Sequence, residues 1–226
     1  MIEKLPWWVE YSAFSLSVSA GCINVIGLMG FKNQAVSHVT GTVSQLGVEI
    51  LISVDSSLQL AFTLLSFILG AIICGFSIKD SGLKIGRNYS VVLVVEAILL
   101  LLALELLVNG LSSGHYFASM ACGLQNALFT TYSRAILRTT HLTGIFTDLG
   151  LMLGQGIRGR EFDSRKAILL LIIIMGYFLG SAIGAKLYLI IHFNALLFPA
   201  ALSFMLSVIY WIHAKNIRLG KIDSSK

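Results

Sequence analysis

Six stretches of this chain, at about residues 8–31, 58–78, 89–108, 114–132, 167–191 and 195–213, are each long and apolar enough to cross a bilayer as a helix. In hydrocarbon every backbone N–H and C=O must find a partner within the protein, so such stretches fold as α-helices. The expected fold is therefore an all-α polytopic membrane protein with the lipid bilayer as its first partner. Composition agrees: 56% of the 226 residues are hydrophobic and 12% charged, which leaves too little polar surface for a soluble domain. The net charge of +5 does not point to nucleic acid, because the basic residues fall in short clusters between apolar runs and not along one face. Cys22, Cys74 and Cys122 lie inside apolar stretches with no Cys-x-x-Cys pair, the pattern of packing thiols and not of a disulfide framework or metal site. No motif calls for a cofactor. No small-residue cleavage site follows Pro6, Trp7 and Trp8, so the first span is expected to be retained.

Two further stretches, 40–54 and 143–157, are too short for a full crossing and carry Gln45 and Glu49, or Asp148 and Gln155. Each begins at a duplicated motif. Ser37-His38-Val39-Thr40-Gly41 recurs 103 positions later as Thr140-His141-Leu142-Thr143-Gly144. The register holds around it: Gly21 and Asn24 recur as Gly123 and Asn126, Leu46-Gly47 as Leu149-Gly150, and Ser66, Gly70 and Cys74 as Gly176, Gly180 and Gly184. Such self-similarity marks an internal repeat.

Charge placement sets the expected topology. If both short helices enter and leave by one face, the clusters Lys79, Lys84, Arg87; Arg134, Arg138; Arg158, Arg160, Arg165, Lys166; and the tail with Lys215, Arg218, Lys221 all fall on the N-terminal side. The connections at 109–113 and 192–194 carry no Lys or Arg, as external loops should. Three full spans per half is an odd number, so the second copy enters the membrane upside down. The expectation is two inverted repeats, each of three full spans plus one half-crossing helix. The first repeat covers 1–110 and the second 111–214, with a cytoplasmic tail at 215–226 and both termini in the cytoplasm. The two His-x-Thr-Gly motifs are then expected to meet at mid-depth.

A helix that starts within the membrane leaves up to four backbone N–H groups without intrahelical partners. Thr40 and Thr143 are expected to cap them, and Gly41 and Gly144 leave room for a ligand or another helix. The helix dipoles favour an anion or a carbonyl oxygen there. His38 and His141 are further candidate ligand contacts, or structural donors to a carbonyl. Asn24 and Asn126, mid-helix amides, either hold the half-crossing segments or line a route. Among acidic groups, Asp148 and Glu96 are the candidates for coupling to a proton or cation. Glu96 and Glu105 are nine residues apart, half a turn out of phase, so only one can face a common axis. The glycines at 176, 180 and 184 read as a packing seam.

These motifs, with Gly123-Leu124-Gln125-Asn126-Ala127 and Arg138-Thr139-Thr140-His141-Leu142-Thr143-Gly144, resemble the signatures of YoaK-like bacterial membrane proteins over most of the chain. The resemblance implies a multi-pass protein of the bacterial cytoplasmic (inner) membrane and supplies no substrate. It also implies Asp at the position of Asn24 and Asn at that of Thr42 in other members, so a carboxylate role there does not carry over. The leading functional expectation is a transporter or channel for a small solute or ion, an anion or acidic metabolite being the class the dipoles favour. A membrane-embedded enzyme and a non-transporting accessory or sensor protein are the alternatives, although no Gly-x-Ser-x-Gly or His-Glu-x-x-His motif is present. A homo-oligomer is compatible with either class.

Overall fold

The computed structural model describes residues 7–30, 36–78, 87–132, 141–160 and 162–218. Among these there are eight α-helices and no strand. They are α1 (Trp7–Gly30), α2 (Val39–Glu49), α3 (Val54–Ser77), α4 (Arg87–Val108), α5 (Gly114–Tyr132), α6 (Leu142–Ile157), α7 (Ser164–Ile191) and α8 (Leu197–Arg218), with a 3-10 turn at His192–Leu196 joining the last two. Local chemistry starts two of them. Ser53 Oγ accepts the Ser56 N–H ahead of α3, and Asp163 Oδ1 accepts the Lys166 N–H at 3.0 Å ahead of α7.

Four helical runs are long and apolar enough to cross a membrane: Glu10–Gly30, Val54–Ser77, Asn88–Val108 and Ser164–Asn216, the last containing both α7 and α8. The helix α5 forms where a sixth span was expected, but it falls outside that set. Its 19 residues are long enough, but His115, Ser119, Gln125, Asn126 and two threonines make it too polar. Around an apolar core, α3 and α7 also expose large apolar side chains and bury a stripe of small residues. On α3 the large apolar Phe62, Leu65, Leu69, Ile72 and Phe76 are exposed, while Thr63, Ser66, Gly70 and Cys74 are buried. On α7 Leu171, Met175, Phe178 and Leu179 are exposed and the three glycines face inward. Large apolar side chains on the outer face suit lipid as solvent, and the stripe of small residues allows the close backbone approach that holds helices together there.

The strongest pairings cross between halves: α1 packs on α7 and α3 on α5, while α4 packs on both α5 and α8. A Cβ added to Gly21 would strike the carbonyl of Tyr177, and one added to Gly180 would strike that of Val18. At the second seam a Cβ on Gly123 would strike the carbonyl of Phe67, and one on Gly70 that of Met120. The two seams are copies of one another, because adding 102 to the α1 positions 18 and 21 gives 120 and 123, and adding 110 to the α3 positions 67 and 70 gives 177 and 180.

Helix directions follow from the same contacts. Residue numbers rise together along α1 and α7, from Phe14 beside Gly176 to Cys22 beside Gly184, so the two run parallel. Likewise α3 and α5 are parallel, with Phe62 edge-on to Tyr116 and Phe67 beside Gly123. In contrast α1 opposes α8, because Ser12 bonds Tyr210 while Gly30 meets Phe193. It also opposes α5: Gln125 reaches the Leu16 carbonyl, and Ser119, six residues earlier, reaches that of Val36 beyond the far end of α1. The starts of α1 and α7 and the ends of α5 and α8 therefore share one end of the bundle, and the turns after α4 and α7 share the other.

Candidate functional site

Two residues ahead of α2 draw four helices together. Ser37 donates its hydroxyl to Asn24 Oδ1 of α1 at 2.7 Å, and its backbone N–H points at the same oxygen at 3.4 Å. Ser119 Oγ of α5 lies 3.3 Å from the Val36 carbonyl and 2.9 Å from that of Thr63 on α3. The Tyr177 phenol of α7 also reaches Ser37. Asn24, Ser37, Thr63 and Ser119 are all buried. Asn24 lies six residues before Gly30 and Thr63 nine after Val54, which puts Ser37 roughly 9–13 Å below those helix ends at 1.5 Å per residue. From there α2 runs back towards the start of α3. Asn24 thus ties the segment ahead of α2 to α1.

The duplicated motif folds the same way twice. His38 is the N-cap of α2 with φ −99° and ψ 68°, and His141 is that of α6 with φ −95° and ψ 55°. Neither makes a side-chain capping bond. The expectation that Thr40 and Thr143 are the caps is corrected: the His38 and His141 carbonyls already accept from Thr42 and Ile145, so the helices begin at Val39 and Leu142 and the threonines stand inside the first turn. The glycines have a specific use. The imidazole folds back over the turn, and a Cβ would lie 3.0 Å from His38 Nδ1 at Gly41 and 2.5 Å from His141 Nδ1 at Gly144. The side chains of His38, Thr40, His141 and Thr143 are exposed.

The two motifs do not touch among the described residues. Each short helix is tied by a short turn to its own neighbour, α2 to α3 and α6 to α7, and no contact joins α2 to α6. Asn126 is half-buried on α5 and is engaged. The partner position equivalent to Ser37 is Thr140, which lies outside the described residues together with Arg134 and Arg138. Asp148 is not in the core: it pairs with Lys166 at 3.2 Å, the two side chains being 44% and 29% exposed. Glu96 is fully buried, whereas Glu105 is exposed and accepts a hydrogen bond from the Asn109 side chain at 2.9 Å. The half-turn phase difference thus separates them as expected. Gln125 was not singled out from its sequence, although it sits inside the Gly123-Leu124-Gln125-Asn126 motif. It is fully buried, and its amide bridges α5 to the Leu16 carbonyl of α1 at 2.8 Å.

The exposed apolar side chains and the long apolar helices mark an all-helical membrane protein. Residues 12–209 match the family described as protein of unknown function DUF1275, and the chain belongs to that family. No curated protein and no solved structure matches it.

Proposed function

We propose that the protein is a transporter or channel for a small solute or ion, with an anion or acidic metabolite as the substrate class, in the bacterial cytoplasmic membrane. Its two halves, 1–110 and 111–214, are inverted repeats of three spans and one half-crossing helix, and both termini, with the tail at 215–226, are cytoplasmic. The single observation that carries this reading is the residue-for-residue duplication of the α1/α7 and α3/α5 seams, combined with opposed directions of α1 and its repeat mate α5. Repeats of this kind, with interrupted helices that begin inside the protein, are the architecture of many secondary transporters. The direction of each helix supports six crossings, because α1 and α3 run oppositely with only α2 between them, as do α5 and α7 with only α6 between them. The YoaK-like resemblance is in keeping with the same membrane placement.

The substrate contacts in this reading are the free first-turn N–H groups and side chains of α2 and α6: His38, Thr40 and Gly41, then His141, Thr143 and Gly144. Asn24 holds the first segment, and Asn126 stands at the matching position of the second repeat. Purified protein in sealed liposomes tests the reading, with flux measured for a panel of inorganic anions and small carboxylates. Flux of at least one solute is expected, reduced about tenfold or more when Thr40 and Thr143 are both replaced by Val, the loss of roughly 1.4 kcal/mol. Absence of flux for every solute, or flux untouched by the double variant, would count against it.

A further inference from the structure

Glu96 sits near the middle of α4 with none of its surface exposed. Neither carboxyl oxygen has a hydrogen-bond partner among the described residues. The Ser203 hydroxyl of α8 lies beside it and is itself unpartnered. The ionisable groups facing it from the other packed helices are Cys74 of α3 and Cys122 of α5, both free thiols. Among the described residues no Lys, Arg or His is buried. A carboxylate enclosed in this way, with one serine hydroxyl beside it and no counter-charge among the described residues, is costly inside a membrane and marks a functional group.

The cation that fits is a proton. Among the described residues no cluster of three His, Cys, Asp or Glu could hold a metal ion. The backbone carbonyls around Glu96 belong to helical ladders, so the six or more oxygens that a hard cation takes are not offered. A proton needs one carboxyl oxygen and one neighbouring hydroxyl.

A second observation supplies a route. The antiparallel helices α4 and α8 set hydroxyls opposite one another in rungs. Tyr89 and Tyr210 line the same small cavity of about 10 Å³, together with Leu16, Leu128 and Phe129. Ser12, which bonds Tyr210, lines it too. One step deeper, Ser207 Oγ donates to the Ser90 carbonyl at 2.8 Å, while Ser90 Oγ is unpartnered. Glu96 and Ser203 follow, each seven residues from its tyrosine, roughly 10 Å along the helix. The rungs begin at the end of the bundle that holds the start of α1 and the end of α8.

We propose that Glu96 is a proton-binding site in the bundle core, reached from the end holding the start of α1 and the end of α8 along the Tyr89–Tyr210 and Ser90–Ser207 rungs. The step is carboxylate plus proton to carboxylic acid, with Ser203 as hydrogen-bond partner. Its use in coupling rests on the transport reading, whereas the site itself does not.

The full chain in lipid nanodiscs, without any solute, tests the site in two ways. A hydrophobic carbodiimide, which reacts with the protonated carboxyl, is expected to label the wild-type protein at Glu96, read by mass spectrometry of the peptide. Labelling is expected to fall about tenfold per pH unit above the titration midpoint. Infrared difference spectra between acidic and alkaline buffer are expected to show a carboxylic C=O band that is lost in Glu96→Gln, kept in Glu105→Gln and shifted in Ser203→Ala. No adduct at any pH, a pH-independent adduct, or a band unaltered by Glu96→Gln would overturn the proposal. The carbodiimide arm needs no variant, so misfolding of Glu96→Gln leaves the question decidable. A failed flux assay does not alter either readout.

Discussion

Replacing Gly70 by Ala adds one methyl group where α3 rests on the backbone of α5. The new Cβ collides with the Met120 carbonyl oxygen and lies 2.8 Å from Leu124 N. These atoms belong to a helix and cannot rotate away, so the helices must separate. A gap of 0.5–1 Å forfeits about a quarter to a half of each contact along the seam. Overpacking costs about 1–3 kcal/mol, and a backbone obstacle puts this site at the upper end. Ala regains about 1 kcal/mol of helix propensity, leaving a net loss of about 2 kcal/mol. Five residues on, Gly75 has nothing within 4 Å of its added Cβ, so Gly75→Ala is expected to be neutral or to gain up to about 1 kcal/mol. Two identical substitutions on one helix therefore differ by about 3 kcal/mol, roughly a factor of 150 in the unfolding equilibrium. Gly180→Ala, the repeat mate of Gly70→Ala, is expected to cost the same. The assay is denaturant titration in mild detergent micelles followed by tryptophan fluorescence. Equal midpoints for Gly70→Ala and Gly75→Ala would refute the close-approach origin of the seam.

Three further outcomes are expected. Asn24→Ala leaves the buried Ser37 hydroxyl without its acceptor and should cost about 1–3 kcal/mol, with faster amide hydrogen exchange over the first turn of α2; unchanged exchange there would show that Asn24 does not hold the segment. Gly144→Ala meets only the imidazole of His141, which can rotate, so stability should shift by no more than about 1 kcal/mol while the histidine NMR signals move; a large loss of stability would contradict the ring-over-glycine geometry. Asp148→Asn removes a partly exposed ion pair and should change stability by less than about 1 kcal/mol, most visibly at low salt; a severe loss would mean the pair bears on the core.

Much of the scaffold can be read from the chain because lipid restricts the choices. The apolar runs fall on helices, and the inward residues of α3 and α7 occur at the repeated spacing seen in Ser66-Gly70-Cys74 and Gly176-Gly180-Gly184. Helical phase also separates buried Glu96 from exposed Glu105. Which helix meets which is less legible, since a small-residue seam does not name its partner, and only the structure shows that α1 chooses α7 and α3 chooses α5. The caps were misread because Thr outranks His as an N-cap by propensity, whereas the His carbonyls start both helices one residue after the histidine. Asn24 and Ser37 are 13 residues apart with a chain reversal between them, and no local period encodes their bond. Gln125 stands beside Asn126, the repeat mate of Asn24, and its own repeat position is Ile23, so duplication does not mark it, although an amide within an apolar run is a signal in its own right.

Side-specific labelling of single cysteines, in a background free of Cys22, Cys74 and Cys122, bears most directly on the inverted arrangement. An impermeant maleimide is applied to sealed right-side-out vesicles carrying Asp55→Cys, Leu111→Cys or Phe162→Cys, with Lys84→Cys added from outside the described residues. Half-crossing α2 and α6 predict labelling from outside at positions 55 and 111, and labelling at 84 and 162 only after permeabilisation. Protection of 55 and 111 together with 162, while 84 is labelled from outside, would mean that both short helices cross completely and would contradict inverted repeats.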